Sequence, residues 1–153
     1  HDNRLLFGPV GDGFVLEDTL DELAKRGDVQ NIPYIIGANG NDFGLGMDEP
    51  MRKSKYYQSM IDFANLRNEY HGKPTYLYLF NRKLPSDDAG AFHSAELWYM
   101  FGTLSRCWRE MEVRDYKISD EMVSAWTNFM KSAEPGKGWK PYTEENSFIR
   151  MFL

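Results

Sequence analysis

At 153 residues the chain is long enough for one domain with its own core and short for two. Hydrophobic residues make up 42% and aromatics 15%, a packed globular composition that excludes disorder, and the formal net charge of -5 gives no electrostatic reason to expect nucleic acid or an anionic membrane as partner. No apolar run approaches the roughly 18 residues of a membrane span.

The single cysteine, Cys107, excludes an intrachain disulfide and a cysteine-based metal framework. Between Arg106 and Trp108 it reads as a small apolar group. The opening His1-Asp-Asn-Arg4 carries neither a signal-peptide pattern nor an initiating methionine, so the chain reads as a fragment or processed piece whose compartment stays open.

In chain order, Phe7-Gly-Pro-Val-Gly-Asp-Gly13 is an extended piece broken by glycines. It lacks the strand–turn–helix setting of a dinucleotide fingerprint and reads as a turn. Asp18 suits the N-cap of a helix over about Thr19 to Arg26, with Leu20, Leu23 and Ala24 on one face and Gly27 at the stop. Ile32-Pro-Tyr-Ile-Ile-Gly-Ala38 is a short apolar run without polar alternation, the pattern of a buried parallel strand. It empties into the glycine-rich loop Asn39 to Gly46, whose one carboxylate is Asp42. That is where open α/β sheets keep their chemistry.

Ser54 to Tyr70 reads as a helix, with Met60, Phe63, Ala64, Leu66 and Tyr70 turned inward and His71-Gly-Lys-Pro74 ending it. The positive Arg52, Lys53 and Lys55 read as its solvated start. Thr75-Tyr-Leu-Tyr-Leu-Phe80 is the clearest strand signal. The polar loop Pro85 to Gly90 then delivers His93, and Leu97 to Leu104 follows as a short apolar helix. Ser119 is placed to cap a further helix in which Met122, Ala125, Trp126, Phe129 and Met130 make a buried stripe. The tail from Gly136 to Leu153, rich in Pro, Gly and aromatics, is expected to wrap over a surface. This order points to an α/β class with few parallel strands and several helices. Two strands make an incomplete sheet, so its missing strands are expected from elsewhere.

An acid after one parallel strand and a histidine after the next is the second half of a Ser…Asp/Glu…His order. A neutral hydroxyl is a poor nucleophile. An imidazole removes its proton, and a carboxylate fixes the imidazole tautomer and stabilises the imidazolium. From position alone the bland readings stand beside this one. Asp42 could equally cap a helix or hold an Asx-turn, and His93 could be a satisfied structural residue. His93 and Glu96 at i, i+3 are half of a metal site, but at least three protein ligands are needed and no second cluster exists.

Four segments resemble the C-terminal portion of the type B carboxylesterases, the group that includes the cholinesterases. They are Phe7 to Leu16; Ile32 to Asn39 with Asp42-Phe-Gly44; Gly90-Ala-Phe-His-Ser-Ala-Glu-Leu97 with Phe101-Gly102; and Trp126 to Phe129 with Gly138-Trp-Lys-Pro-Tyr142. The resemblance implies that residues 1–153 are the C-terminal segment of a single α/β-hydrolase domain whose nucleophile-bearing N-terminal part is absent. It implies a serine esterase working through an acyl-enzyme on a small-molecule ester, without metal or cofactor. In that frame His93 matches the general base, Asp42 the triad acid and Glu96 a supporting hydrogen-bond group.

Three departures qualify it. The family mostly has Glu where this chain has Asp42. No Gly-x-Ser-x-Gly and no glycine-rich oxyanion segment occur, so the chain alone is expected to be inactive. Only 51 positions separate Asp42 from His93, which suggests a deletion or a hidden join around Met47 to Lys55. The alternative is a cholinesterase-like binding or adhesion domain that lost the chemistry. The N-terminal part of the same protein is the expected partner, with self-association through exposed sheet edges as a further possibility.

Overall fold

The computed structural model describes residues 9–42, 54–70 and 72–153, the side chains of Leu20 and Asp21 excepted. Its elements in chain order are α1 (Leu20–Lys25), β1 (Tyr34–Asn39), α2 (Lys55–Glu69), β2 (Thr75–Phe80), α3 (Leu97–Met100), a 3-10 turn at Leu104–Arg106, α4 (Val113–Ser132) and β3 (Ile149–Phe152). The three strands form one all-parallel sheet in the order β1-β2-β3. Tyr34 pairs with Thr75 and Asn39 with Phe80 on one side of β2, and Leu77 pairs with Ile149 on the other.

β2 is central and buried at all six positions, which is why its sequence runs apolar without alternation. Its side chains still divide by the strand's period of two. Tyr76, Tyr78 and Phe80 share a cluster with Tyr99 of α3 and with Met122 and Ala125 of α4. Leu77 packs from the opposite face against Met60 and Ala64 of α2 and against Tyr142. Each crossover therefore covers one face of the sheet, and each helix buries the stripe its sequence sets aside. Edge-to-face ring contacts order the α4 side: Tyr78 meets Trp126 at 5.1 Å between centroids. Among the described residues, no helix is long and apolar enough to cross a membrane.

The expected partial α/β architecture is present, with corrections. The tail does more than wrap. Its Ile149-Arg-Met-Phe152 supplies a third strand, so one of the strands sought elsewhere lies within the chain. β1 begins at Tyr34, after Pro33, which has no N–H to give a ladder. The cap of α1 is Thr19, whose hydroxyl accepts from the Glu22 amide, while Asp18 accepts from the Thr19 amide and the Arg26 guanidinium. The helix expected over Leu97 to Leu104 stops at Met100, where Gly102 turns the chain with φ of 62° before the 3-10 turn.

α4 starts at Val113, so Ser119 is no cap. It is buried mid-helix and donates to the Tyr99 carbonyl. Met130 is 77% exposed, and Tyr70 is half-exposed, its hydroxyl donating to the Lys25 carbonyl. Arg67 takes the buried place on α2 instead, its guanidinium bound to the carbonyls of Gln30 and Ile32 and the Asn31 side chain. Asp12 accepts from the amides of Phe14, Val15 and Leu16, which accounts for the turn read there. The deletion or join expected around Met47 to Lys55 falls mostly outside the described residues, as does Phe7.

Candidate active site

The site lies beyond the carboxyl ends of β1 and β2, where a parallel sheet leaves its strands and the covering helices turn away. β1 ends at Asn39, and Asp42 follows three residues later. β2 ends at Phe80, and the loop after it returns to the same place with His93. Two hydrogen bonds bring the loops together. The Asn41 amide donates to the Ala91 carbonyl at 2.9 Å, and the Ala91 amide donates to Asn41 Oδ1 at 2.9 Å. Together they continue the parallel pairing past the strand ends, as a bridge between Asn41 and Phe92.

Gly90 makes this approach possible. Its φ is 69°, and a Cβ there would stand 2.3 Å from Asn41 Oδ1. Only glycine meets both demands. Ser94, immediately after His93, is held at φ 69° as well. For a residue with a side chain this conformation costs about 1–2 kcal/mol, and such strain clusters at functional positions. It turns the chain sharply behind the histidine before α3 begins.

Asp42 Oδ1 and His93 Nδ1 lie 2.7 Å apart. A carboxylate can only accept, so Nδ1 carries the proton and, in the neutral ring, Nε2 is the acceptor nitrogen. The Asp42 side chain is 13% exposed and that of His93 51%. The carboxylate is thus tucked behind the ring while the imidazole faces outward. This polarity suits a base: one nitrogen oriented by an acid, the other presented to whatever approaches.

Glu96, the third residue expected here, does not meet His93 among the described contacts. It bonds the side-chain amide of Asn39, which also donates to the Phe92 carbonyl at 2.7 Å. Asn39 is 2% exposed, and its backbone amide points at Asp42 Oδ2 at 3.5 Å. This residue, missed from the sequence, joins the acid loop, the peptide before His93 and Glu96. A polar amide closing an apolar buried strand was its one available signal. Beneath them lies Tyr78, whose phenol is pushed up by burial first and then by the Glu96 and Asp42 carboxylates. Two carboxylates therefore share this end of the sheet.

A sequence model of the carboxylesterase family matches residues 46–151, which takes in His93 and Glu96 and begins after Asp42. Bile salt-activated lipase of Homo sapiens is 33% identical over 98 residues, covering 57% of this chain and 13% of the lipase. Carboxylesterase 4A of Bos taurus is 22% identical over an alignment of 210 positions that covers 95% of this chain and 38% of that protein. The alignment is longer than this chain, so that relative holds residues with no counterpart here. Among solved structures, a PNB esterase superposes with a TM-score of 0.78 at 19% identity, covering 99% of this chain and 40% of the esterase. At that identity the likeness is one of fold. The chain thus spans well under half the length of each of these proteins.

Proposed function

This chain belongs to the carboxylesterase family, and from that premise we propose that it supplies the acid and the base of a serine hydrolase acting on carboxylic esters. The reading rests on one observation, the 2.7 Å contact between Asp42 Oδ1 and His93 Nδ1 at the carboxyl ends of two parallel strands. In this reading the serine and the oxyanion donors come from an upstream portion of the same protein. That portion is also the partner that completes the domain.

The chemistry follows from the geometry. His93 Nε2 takes the proton of the serine hydroxyl as the oxygen attacks the ester carbonyl. Asp42 holds the ring in the productive tautomer and stabilises the imidazolium. The imidazolium then returns the proton to the leaving alcohol, which departs as the acyl-enzyme forms. In the second half His93 takes a proton from water, the resulting oxygen attacks the acyl carbon, and the serine leaves with the proton back on its oxygen. No step needs a metal or a cofactor. Glu96 acts at a distance, through Asn39, on the loops that carry both residues. The isolated 153-residue chain is inactive, because a base without nucleophile or oxyanion donors has no reaction to assist.

The test is hydrolysis of a short-chain aryl ester by the full-length protein. His93→Ala is expected to lower kcat by about 10⁴- to 10⁶-fold. Unchanged turnover in that variant would remove His93 from the mechanism.

A further inference from the structure

The loop from Pro85 to Phe92 places His93, yet little regular structure holds it. Ser86 and Gly90 both sit at positive φ, 78° and 69°, and within the loop only Leu84 to Gly90 is closed by a backbone hydrogen bond. Asn41 grips the far end. The near end is gripped by Arg109, from the segment that leads into α4.

Arg109 is 9% exposed. One guanidinium nitrogen donates to the Pro85 carbonyl at 2.8 Å, and the guanidinium forks onto the Asp87 carboxylate at 2.6 Å on each arm. Its central carbon lies 5.5 Å from the centroid of Phe92, the residue before His93, and 4.7 Å from that of Trp108. Asp87 in turn accepts from the Ala89 amide, and Ser86 Oγ accepts from the Glu110 amide. A single planar cation thus fixes a carbonyl, a carboxylate and a ring along the eight residues Pro85 to Phe92. Lysine, a point charge without a fork, could hold one of these and not all three.

We propose that Arg109 is a positioning residue for His93: it sets the height and tilt of the 85–92 loop so that Nδ1 stays on Asp42. The proposal builds on the reading of His93 as the base. It makes no contact with the reacting atoms itself. A drift of about 1 Å at the imidazole is enough to cost about 100-fold in turnover, whereas the fold has its own anchors in the sheet and α4.

The decisive measurement is nitrogen NMR of the histidine rings in histidine-labelled full chain, with His93 assigned by its absence in His93→Ala. This reads the tautomer directly and needs no ester hydrolysis, so its failure is distinct from failure of the esterase reading. The parent protein is expected to show one Nδ1-protonated form at neutral pH. Arg109→Met should give the mixed-tautomer pattern that Asp42→Ala also gives, Arg109→Lys should restore part of the ordered signal, and Asp87→Asn should weaken it. Arg150→Met, which removes the β3 cation paired with Glu121 of α4, should leave it unchanged. If Arg109→Met does not fold, Asp87→Asn decides, since its carboxylate is exposed. A wild-type His93 pattern in Arg109→Met, or in Asp87→Asn where that variant decides, would overturn the assignment. So would the same loss of order in Arg150→Met.

Discussion

Two carboxylate contacts in this molecule have the same length and opposite surroundings. Asp42 and His93 meet at 2.7 Å with the ring half in solvent. Arg82 and Asp115 also meet at 2.7 Å, but their side chains are 5% and 0% exposed. The second pair is completed on every side. Arg82 forks onto both Asp115 oxygens and reaches Glu112, the Tyr99 hydroxyl donates to Asp115 Oδ1, and the Glu112 amide donates to Oδ2. It ties the exit of β2 to α3 and to the first turn of α4. Distance alone does not separate the pair proposed for catalysis from a framework pair. The difference lies in how deeply each pair is buried and which side of the cation or ring remains outward.

The sharpest way to break the comparison is to remove each carboxylate in turn. In the full-length protein, Asp42→Ala is expected to lower kcat by about 10⁴-fold by freeing the wrong tautomer. It should shift chain stability by less than about 1 kcal/mol, because the imidazole it leaves behind is half in solvent. Asp115→Ala should do the converse. It leaves a buried guanidinium with only the exposed Glu112 carboxylate as its ion-pair partner and should cost about 3–5 kcal/mol of stability, read from urea unfolding. Comparable stability losses in both variants would erase the distinction.

A smaller effect tests the sheet beneath the site. A Cβ on Gly37 would lie 2.2 Å from the Tyr78 ring, which crosses β1 at that point. Gly37→Ala is therefore expected to destabilise by about 1–3 kcal/mol through overpacking. Because Tyr78 lies under both carboxylates, activity should fall with it. Stability unchanged in thermal unfolding would mean that the ring has another place to go.

The mildest test uses pH. Burial works to raise the Asp115 carboxyl, but Arg82, Tyr99 and the Glu112 amide together hold it below the usual carboxylate range. A carboxyl depressed in the folded state contributes fully above its unfolded value and loses that contribution as pH falls through the folded one. The stability gap between the parent protein and Asp115→Asn should accordingly be widest near neutrality and narrow only in strong acid. A gap that closes already at the ordinary carboxylate range would contradict the direction of the shift.

Much of this was legible in the residues. The apolar runs at Ile32 and Thr75 announced the two strands because both faces of a parallel sheet are covered, and their order placed an acid and a histidine after them. The stripe of α4 was readable from Met122 to Phe129 because those residues repeat with the helical period. Asn39 and Arg109 were not readable: an amide at the end of a strand and an arginine between a tryptophan and a glutamate have no local pattern that assigns them a partner 53 or 22 residues away.

β3 shows where local reading stops. Four residues after a Pro- and Gly-rich tail carry too little periodicity to declare a strand, and their pairing energy comes from an edge of β2 far away in sequence. The same holds for the start of α4, which depends on Asp115 being claimed by Arg82 and Tyr99. Composition and pattern settled the class, the strand order and the residue types available for chemistry. The 2.7 Å meeting of Asp42 with His93, the burial of Asp115 and the clamp at Arg109 came from packing, because each depends on chain segments that meet only once the sheet has formed.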